Sequence, residues 1–237
     1  MTSPRLTVVI PVFNEARLVK GAALELAKQL DAAGHDYELL LAENGSRDGT
    51  SVILQALAAA HPRVRWLHED APNYGRALKR GILEARGELV VCDEIDLCDV
   101  GFYAQALPLL EQGVDLVVGS KAMTGADDER PWLRRFATRV MTLLLHLATG
   151  FRGTDTHGLK AFRRERLLEV VRACVIERDL FASELVIRAE RMGRTVREIP
   201  IALREKRPPT VNLLKRVPRV LSGLVRLAWF IRVRNRS

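Results

Sequence analysis

The stretch Val91-Cys92-Asp93-Glu94-Ile95-Asp96-Leu97 ends an apolar run in three carboxylates, and Asp99 follows closely. Desolvating an unpaired carboxylate is costly, so acids that terminate a buried strand need a partner. At the C-terminal end of a parallel strand they face a ligand crevice. Oxygen-only ligands suit a hard cation such as Mg2+ or Mn2+ that is shared with phosphate groups. A solvated acidic turn is the simpler alternative. Two further stretches carry chemistry. Gly153 to Lys160 is a polar loop with Asp155 and His157, and Glu184 opens a helical pattern. If a hydroxyl group had to be activated, Asp155, Glu184 or His157 would be its base. An acceptor phosphate needs positioning instead, being ionised near neutral pH with a second pKa of about 6.

The elements that hold these groups are legible in order. Leu6–Ile10 is a continuous apolar run suited to a strand covered on both faces, and Tyr37–Ala42, Val64–Leu67 and Leu89–Cys92 read as the next three strands. Helical patterns separate them, with Asn14 expected to cap the first and Asn73-Tyr74-Gly75 opening the third. This βαβαβαβ order predicts a mostly parallel sheet between helices, an α/β fold with its polar loops on one edge. Val114–Gly119 adds a strand, and Val196–Leu203 adds an edge strand because Pro200 interrupts it. Gly-x-Gly-x-x-Gly and P-loop patterns are absent, which argues against a dinucleotide dehydrogenase or P-loop ATPase.

The 237 residues carry a formal charge of +8, which points to an anionic partner. Aromatic residues make up only 5%, too few for a single-stranded nucleic-acid platform, so no nucleic acid is expected. Three scattered cysteines form neither a disulfide framework nor a zinc site and fit a reducing cytoplasm. Met1 to Arg5 has no signal-peptide layout, and no apolar run is long enough to span a bilayer.

The ordered motifs resemble the inverting nucleotide-sugar glycosyltransferases of family 2, which have the GT-A fold. Val9-Ile10-Pro11-Val12-Phe13-Asn14-Glu15 resembles their opening strand, and Glu43-Asn44-Gly45-Ser46-Arg47-Asp48-Gly49-Thr50 resembles their Asp-Asp-Gly-Ser-x-Asp-Gly-Thr loop. Glu94-Ile95-Asp96 falls at the Asp-x-Asp position. The stretches Gly119-Ser120-Lys121, Asp155 to Arg164 and Phe181 to Leu185 follow the order of dolichol- and polyprenyl-phosphate sugar transferases. Glu94 and Asn44 stand where the family has Asp. The absence of Gln-x-x-Arg-Trp argues against a processive polysaccharide synthase.

The resemblance implies roles for individual residues. Pro11, Phe13 and Glu15 would line the nucleoside pocket, and Glu43 or Asn44 would bond the base or ribose. Asp93 and Arg76 would approach the donor, and Glu94 and Asp96 would hold Mg2+ or Mn2+ on the diphosphate. Asp96, Asp155 and Glu184 would be the catalytic acids. Lys121, Arg134, Arg135 and Arg139 would receive the acceptor phosphate. Core packing for Phe13, a helix-dipole role for Glu15 and turn chemistry for Glu43 and Asn44 stay open.

Residues 211–237 read as a basic amphipathic helix appended to a GT-A domain over 1–210. Leu214, Val217, Leu221, Leu224, Ala228 and Ile231 share one face, and Lys215, Arg216, Arg219 and Arg226 lie opposite. Such a helix suits a peripheral position at the inner face of the membrane. Docking on its own domain, or on a second copy in a homodimer, is the alternative. The expectation is transfer from a GDP- or UDP-linked sugar to a polyprenyl (dolichol-type) phosphate. A soluble or saccharide hydroxyl acceptor, or a catalytically silent nucleotide-sugar binder, are the competing readings.

Overall fold

A computed structural model describes residues 3–123, 125–128, 132–203 and 213–232. The chain runs β1 (Leu6–Val12), α1 (Val19–Ala32), β2 (Tyr37–Asn44), α2 (Thr50–Ala60), β3 (Val64–Glu69), α3 (Tyr74–Glu84), β4 (Leu89–Cys92), α4 (Val100–Glu111), β5 (Leu116–Ser120) and β6 (Asp127–Asp128). It continues α5 (Trp132–Thr149), β7 (Lys160–Arg163), α6 (Arg164–Ala173), α7 (Phe181–Arg191), β8 (Val196–Pro200), β9 (Ala202–Leu203) and α8 (Leu213–Arg232).

Seven strands form one sheet in the order β3-β2-β1-β4-β7-β5-β8, and β6 pairs with β9 in a small second sheet. All pairings in the large sheet are parallel except those of β7, which runs antiparallel to both β4 and β5. The fold is therefore GT-A-like α/β. The last strand reading splits at Pro200 as expected: β8 is the sheet edge, and β9 leaves for the second sheet.

Strand alternation divides the interior into two cores. Val8 and Ile10 of β1 join helices α1, α2 and α4 on one face, whereas Val9 joins α3, α6 and α7 on the other. Leu224, Leu227 and Ile231 of α8 belong to this second core, so the C-terminal helix docks on the sheet's own domain. Leu221, expected on the same inward face, is 45% exposed.

Asn14 does not cap α1. Its backbone is left-handed (φ 54°), α1 begins at Val19, and Asn14 instead bonds the 46–47 loop through Ser46 Oγ and Arg47 N, each 2.9 Å away. Tertiary pairing of two crevice loops overrides the local cap. Asn73 does cap α3, accepting from Arg76 N at 3.1 Å.

Asp115, just before β5, accepts from Arg166 Nε at 2.8 Å and from Thr195 N and Oγ1, both at 2.9 Å. Burial pushes its pKa up, but the Thr195 N–H and Arg166 prevail and hold it below the usual value. A depressed carboxylate stabilises the fold above its unfolded pKa of about 3.9 and loses that contribution as pH falls through the folded value. Asp115→Ala is expected to cost about 2 kcal/mol at neutral pH. Denaturant midpoints measured down to acid pH should fall less steeply for the variant than for the wild type.

Candidate active site

β1, β2, β4 and β5 end on one edge of the sheet, and β7 begins there. Register places Lys160 opposite both Cys92 and Val118, so the antiparallel strand delivers a lysine to the middle of the carboxylate edge. Its side chain is buried and donates to Gly158 O at 2.7 Å. Burial lowers the ammonium pKa to about 8, against the pull of Asp155 and Glu94. The sequence places Lys160 at the end of a polar loop and assigns it no role. Its signal is a lysine between Leu159 and the buried pair Ala161-Phe162.

Gly158 lets the 153–159 loop lie against β5. A Cβ there would sit 1.6 Å from Gly119 O. That close approach sets Asp155 beside Lys121. Asp155 is 1% exposed, 3.7 Å from Lys121 Nζ, and accepts from His157 N at 2.8 Å. Desolvation works against its charge, but Lys121 and the His157 N–H outweigh it and keep the pKa below normal. His157 opens onto the crevice. Packed protein, then the charge of Lys121, lowers its imidazole to about 4, so it is neutral at pH 7. Glu198 on β8 braces the same loop, accepting from Thr154 N at 2.8 Å and Asp155 N at 3.1 Å.

The acids after β4 separate into two kinds. Asp93 is 2% exposed and turns inward, accepting from Glu94 N at 2.6 Å, Asp99 N at 3.2 Å and the Tyr103 hydroxyl. Burial raises its pKa to about 6. Asp93 is therefore a brace for the turn into α4, not a donor contact. Ile95 is buried in the core, while Glu94 is exposed and Asp96 half-buried. The protein packed around its exposed side chain, and then the charge of Asp96, raise Glu94's pKa, and Lys121 and Lys160 oppose this. Glu94, Asp155, Lys121 and Lys160 thus lie within electrostatic reach of one another, and Asp96 lies within reach of Glu94.

Other expected site residues fall into place unevenly. Phe13 is 43% exposed, so it is not a core residue and offers a face for stacking. Pro11 is half-buried in β1, and half-buried Glu15 donates its N–H to Thr50 Oγ1 at 2.9 Å. Glu43 is fully buried and accepts from Ser46 N and meets His68 Nδ1, both at 2.5 Å. It ties a loop to β3. Asn44, 6% exposed, anchors α3 by accepting from Asn73 N at 2.5 Å. Asn73 also accepts from Arg178 N at 2.9 Å and donates to Glu177 at 2.9 Å, joining the two halves of the crevice wall. Arg76 pairs with Glu177 at 3.3 Å and Glu69 at 3.9 Å.

Glu184 is fully buried on α7. It accepts from Arg188 Nε at 2.7 Å, Val175 N at 2.9 Å and Ile176 N at 2.6 Å. These bonds make it a structural carboxylate, not a base for an acceptor. Arg135 and Arg139 are exposed on α5, and the side chain of Arg134 lies outside the described residues.

Among the described residues, no group of three or more His, Cys, Asp or Glu side chains is placed to hold a metal by itself. Two crevice-facing carboxylates, Glu94 and Asp96, nonetheless fit Mg2+ or Mn2+, which commonly take one or two carboxylates and complete their shells with substrate phosphates and water.

The sheet is mostly parallel and carries acids and lysines along its carboxyl edge, as in GT-A folds. The family model for glycosyl transferase family 2 matches residues 7–171, and the chain belongs to that family. Glycosyltransferase AglD of Haloferax volcanii is 30% identical over 241 residues, 98% of this chain and 38% of AglD. The undecaprenyl-phosphate 4-deoxy-4-formamido-L-arabinose transferase of Pseudomonas fluorescens is 31% identical over 215 residues, 85% of this chain and 58% of that protein. The chain therefore spans well under two thirds of these two relatives. Among solved structures, glucosyl-3-phosphoglycerate synthase of Mycobacterium tuberculosis, in complex with Mn2+, UDP and glucosyl-3-phosphoglycerate, superposes with a TM-score of 0.66 at 21% identity. The match covers 95% of this chain and 80% of that one.

Proposed function

We propose that this chain transfers one sugar, with inversion, from a GDP- or UDP-linked donor to a polyprenyl phosphate at a membrane surface. The observation that carries the reading is the ion pair of Lys121 with Asp155, 3.7 Å apart, at the carboxyl edge of the sheet where β7 also delivers Lys160 and where Glu94 follows β4. Phe13 and Pro11 would flank the nucleoside. Glu94 and Asp96 would hold the divalent ion, which when bound supplies Lewis-acid stabilisation of the departing diphosphate.

Asp155 argues for the acceptor class. A carboxylate with a lowered pKa is a weak base at neutral pH, a poor choice for deprotonating a hydroxyl group. An acceptor phosphate brings its own ionised nucleophile and needs only cations to position it. Lys121 and Lys160 supply those charges, and Asp155 holds Lys121 in place. The acceptor of the Pseudomonas fluorescens relative belongs to the same class, and it motivates the polyprenyl portion.

The test is transfer from UDP- and GDP-sugars, with Mn2+ or Mg2+, to a short polyprenyl phosphate, a soluble organic phosphate and a saccharide. Product on the polyprenyl phosphate with inverted anomeric configuration supports the reading. Turnover only on the saccharide overturns the acceptor assignment, and failure to bind any nucleotide sugar overturns the enzyme assignment. Lys160→Met keeps the buried volume and removes the charge. It is expected to lower kcat/KM for the acceptor about 10- to 100-fold, as for one lost charged hydrogen bond. Donor affinity by calorimetry should change by a smaller factor, because Lys160 acts on Glu94 through its charge alone.

A further inference from the structure

Among the described residues, α5 presents Trp132, Phe136, Val140, Leu143 and Leu147 to solvent, 71, 57, 39, 56 and 67% exposed. Their spacing of three or four residues makes one continuous helical stripe. α8 presents a second stripe, Leu221, Val225 and Trp229, 45, 71 and 54% exposed. The two helices pack together. Arg232 Nη2 donates to Leu147 O at 2.6 Å, and Arg191 bonds the end of each, through Thr149 O at 2.7 Å and Ile231 O at 3.3 Å. Apolar runs of this length on a soluble surface mark an interaction site.

The charge distribution selects the partner. Lys and Arg outnumber Asp and Glu by eight in the whole chain. α5 contributes three of these basic residues and α8 five, and neither helix contains a single acid. The entire positive excess therefore lies on the two helices that carry the apolar stripes, and the rest of the chain is balanced. An apolar face on an acid-free basic helix is complementary to an anionic bilayer surface, which accepts apolar side chains and attracts arginines together.

We propose that α5 and α8 together form a docking platform for an anionic lipid bilayer, with α5 contributing the larger apolar share. This deepens the lipid-phosphate reading by giving the acceptor a route to the site. On the inner side of α5, Thr142 Oγ1 donates to Thr154 O at 3.3 Å, and His146 Nε2 lies 2.8 Å from Gly153 O. The helix that meets the bilayer thus also holds the loop bearing Asp155. A headgroup leaving the bilayer beside α5 has a short path to Lys121 and Lys160.

Flotation on phosphatidylcholine vesicles with about 30 mol % phosphatidylglycerol tests this, with pure phosphatidylcholine as the neutral arm. Wild type should float with the anionic vesicles and should release as salt rises. Phe136→Ser with Leu143→Ser should lower the partition coefficient about 100-fold, as expected for two apolar side chains left in water. Trp229→Ser, on the other helix, should lower it by a smaller factor. The nucleotide-sugar affinity of each variant in detergent-free buffer should match wild type, which separates lost docking from lost folding. Failure of wild type to float, or equal flotation of the double variant, overturns the platform. So does a wild-type dimer by light scattering that Phe136→Ser with Leu143→Ser converts to monomer, because the stripe would then be covered by a second copy. In any of these cases, transfer to a short, water-dispersed polyprenyl phosphate still reads the proposed activity independently.

Discussion

Asp96→Ala is expected to lower kcat by about 1,000-fold, while its thermal midpoint moves by less than about 2 °C. The two halves of this expectation have separate origins. Asp96 is half-buried on a turn whose anchoring is done by its neighbours: Asp93 takes the backbone amides of Glu94 and Asp99, and Ile95 fills the core. Removing the Asp96 carboxylate leaves that anchoring intact. What it removes is half of the carboxylate pair that would hold the proposed cation, whose Lewis-acid stabilisation of the leaving diphosphate would be felt mainly as charge develops in the transition state. Asp93→Asn should behave in the opposite way, losing stability with a smaller direct effect on turnover per folded molecule. A variant Asp96→Ala that keeps full kcat with Mn2+ or Mg2+ would remove the metal assignment.

The contrast between Asp93 and Asp96 shows where the sequence is informative and where it stops. Four strand patterns separated by helical ones determine a parallel order; β4 has the expected ends, and β1 to β3 each run two residues further at the C-terminal end. The Asn73 cap is equally legible, because capping is local. At the end of β4 the period-two strand pattern gives out, and only the turn geometry decides which of three neighbouring acids faces inward. β7 is four residues long and is nested between a polar loop and a helix, too short for a periodic signal, so the sequence gives Lys160 to the loop rather than to a strand. Asn14 has the type of a cap, yet its two long-range bonds to the 46–47 loop fix a left-handed backbone that no local rule contains. The residues hardest to read are those whose contacts are set by a partner distant in sequence. Glu43 with His68 is one such case, and Asn44 with Asn73 is another.

Glu184 is the sharpest instance, and it supports the second large expectation. An acid in the first turn of a helix, at a position resembling a family motif, reads as catalytic. In the fold it is enclosed with Arg188, whose side chain is only 8% exposed, and with two backbone N–H groups of the 174–177 loop. Glu184→Ala leaves a buried guanidinium and two buried donors without this acceptor, and is expected to cost about 3–5 kcal/mol. For a domain of this size that is a drop of roughly 10 °C in thermal midpoint. Glu184→Leu combined with Arg188→Met replaces the ion pair by apolar groups and should recover part of the loss relative to Glu184→Ala, because a buried ion pair is often no more stabilising than a well-packed hydrophobic one. The two amides still lack their acceptor, so recovery stays incomplete. A base acting on the acceptor predicts the reverse pattern: an unchanged midpoint, a collapse in kcat, and no rescue by the apolar pair. The structural role also reaches the crevice indirectly. The loop that Glu184 pins carries Glu177, which holds Asn73 and Arg76, so any activity lost by Glu184→Ala at low temperature should appear first as a raised donor KM and only later as a lowered kcat.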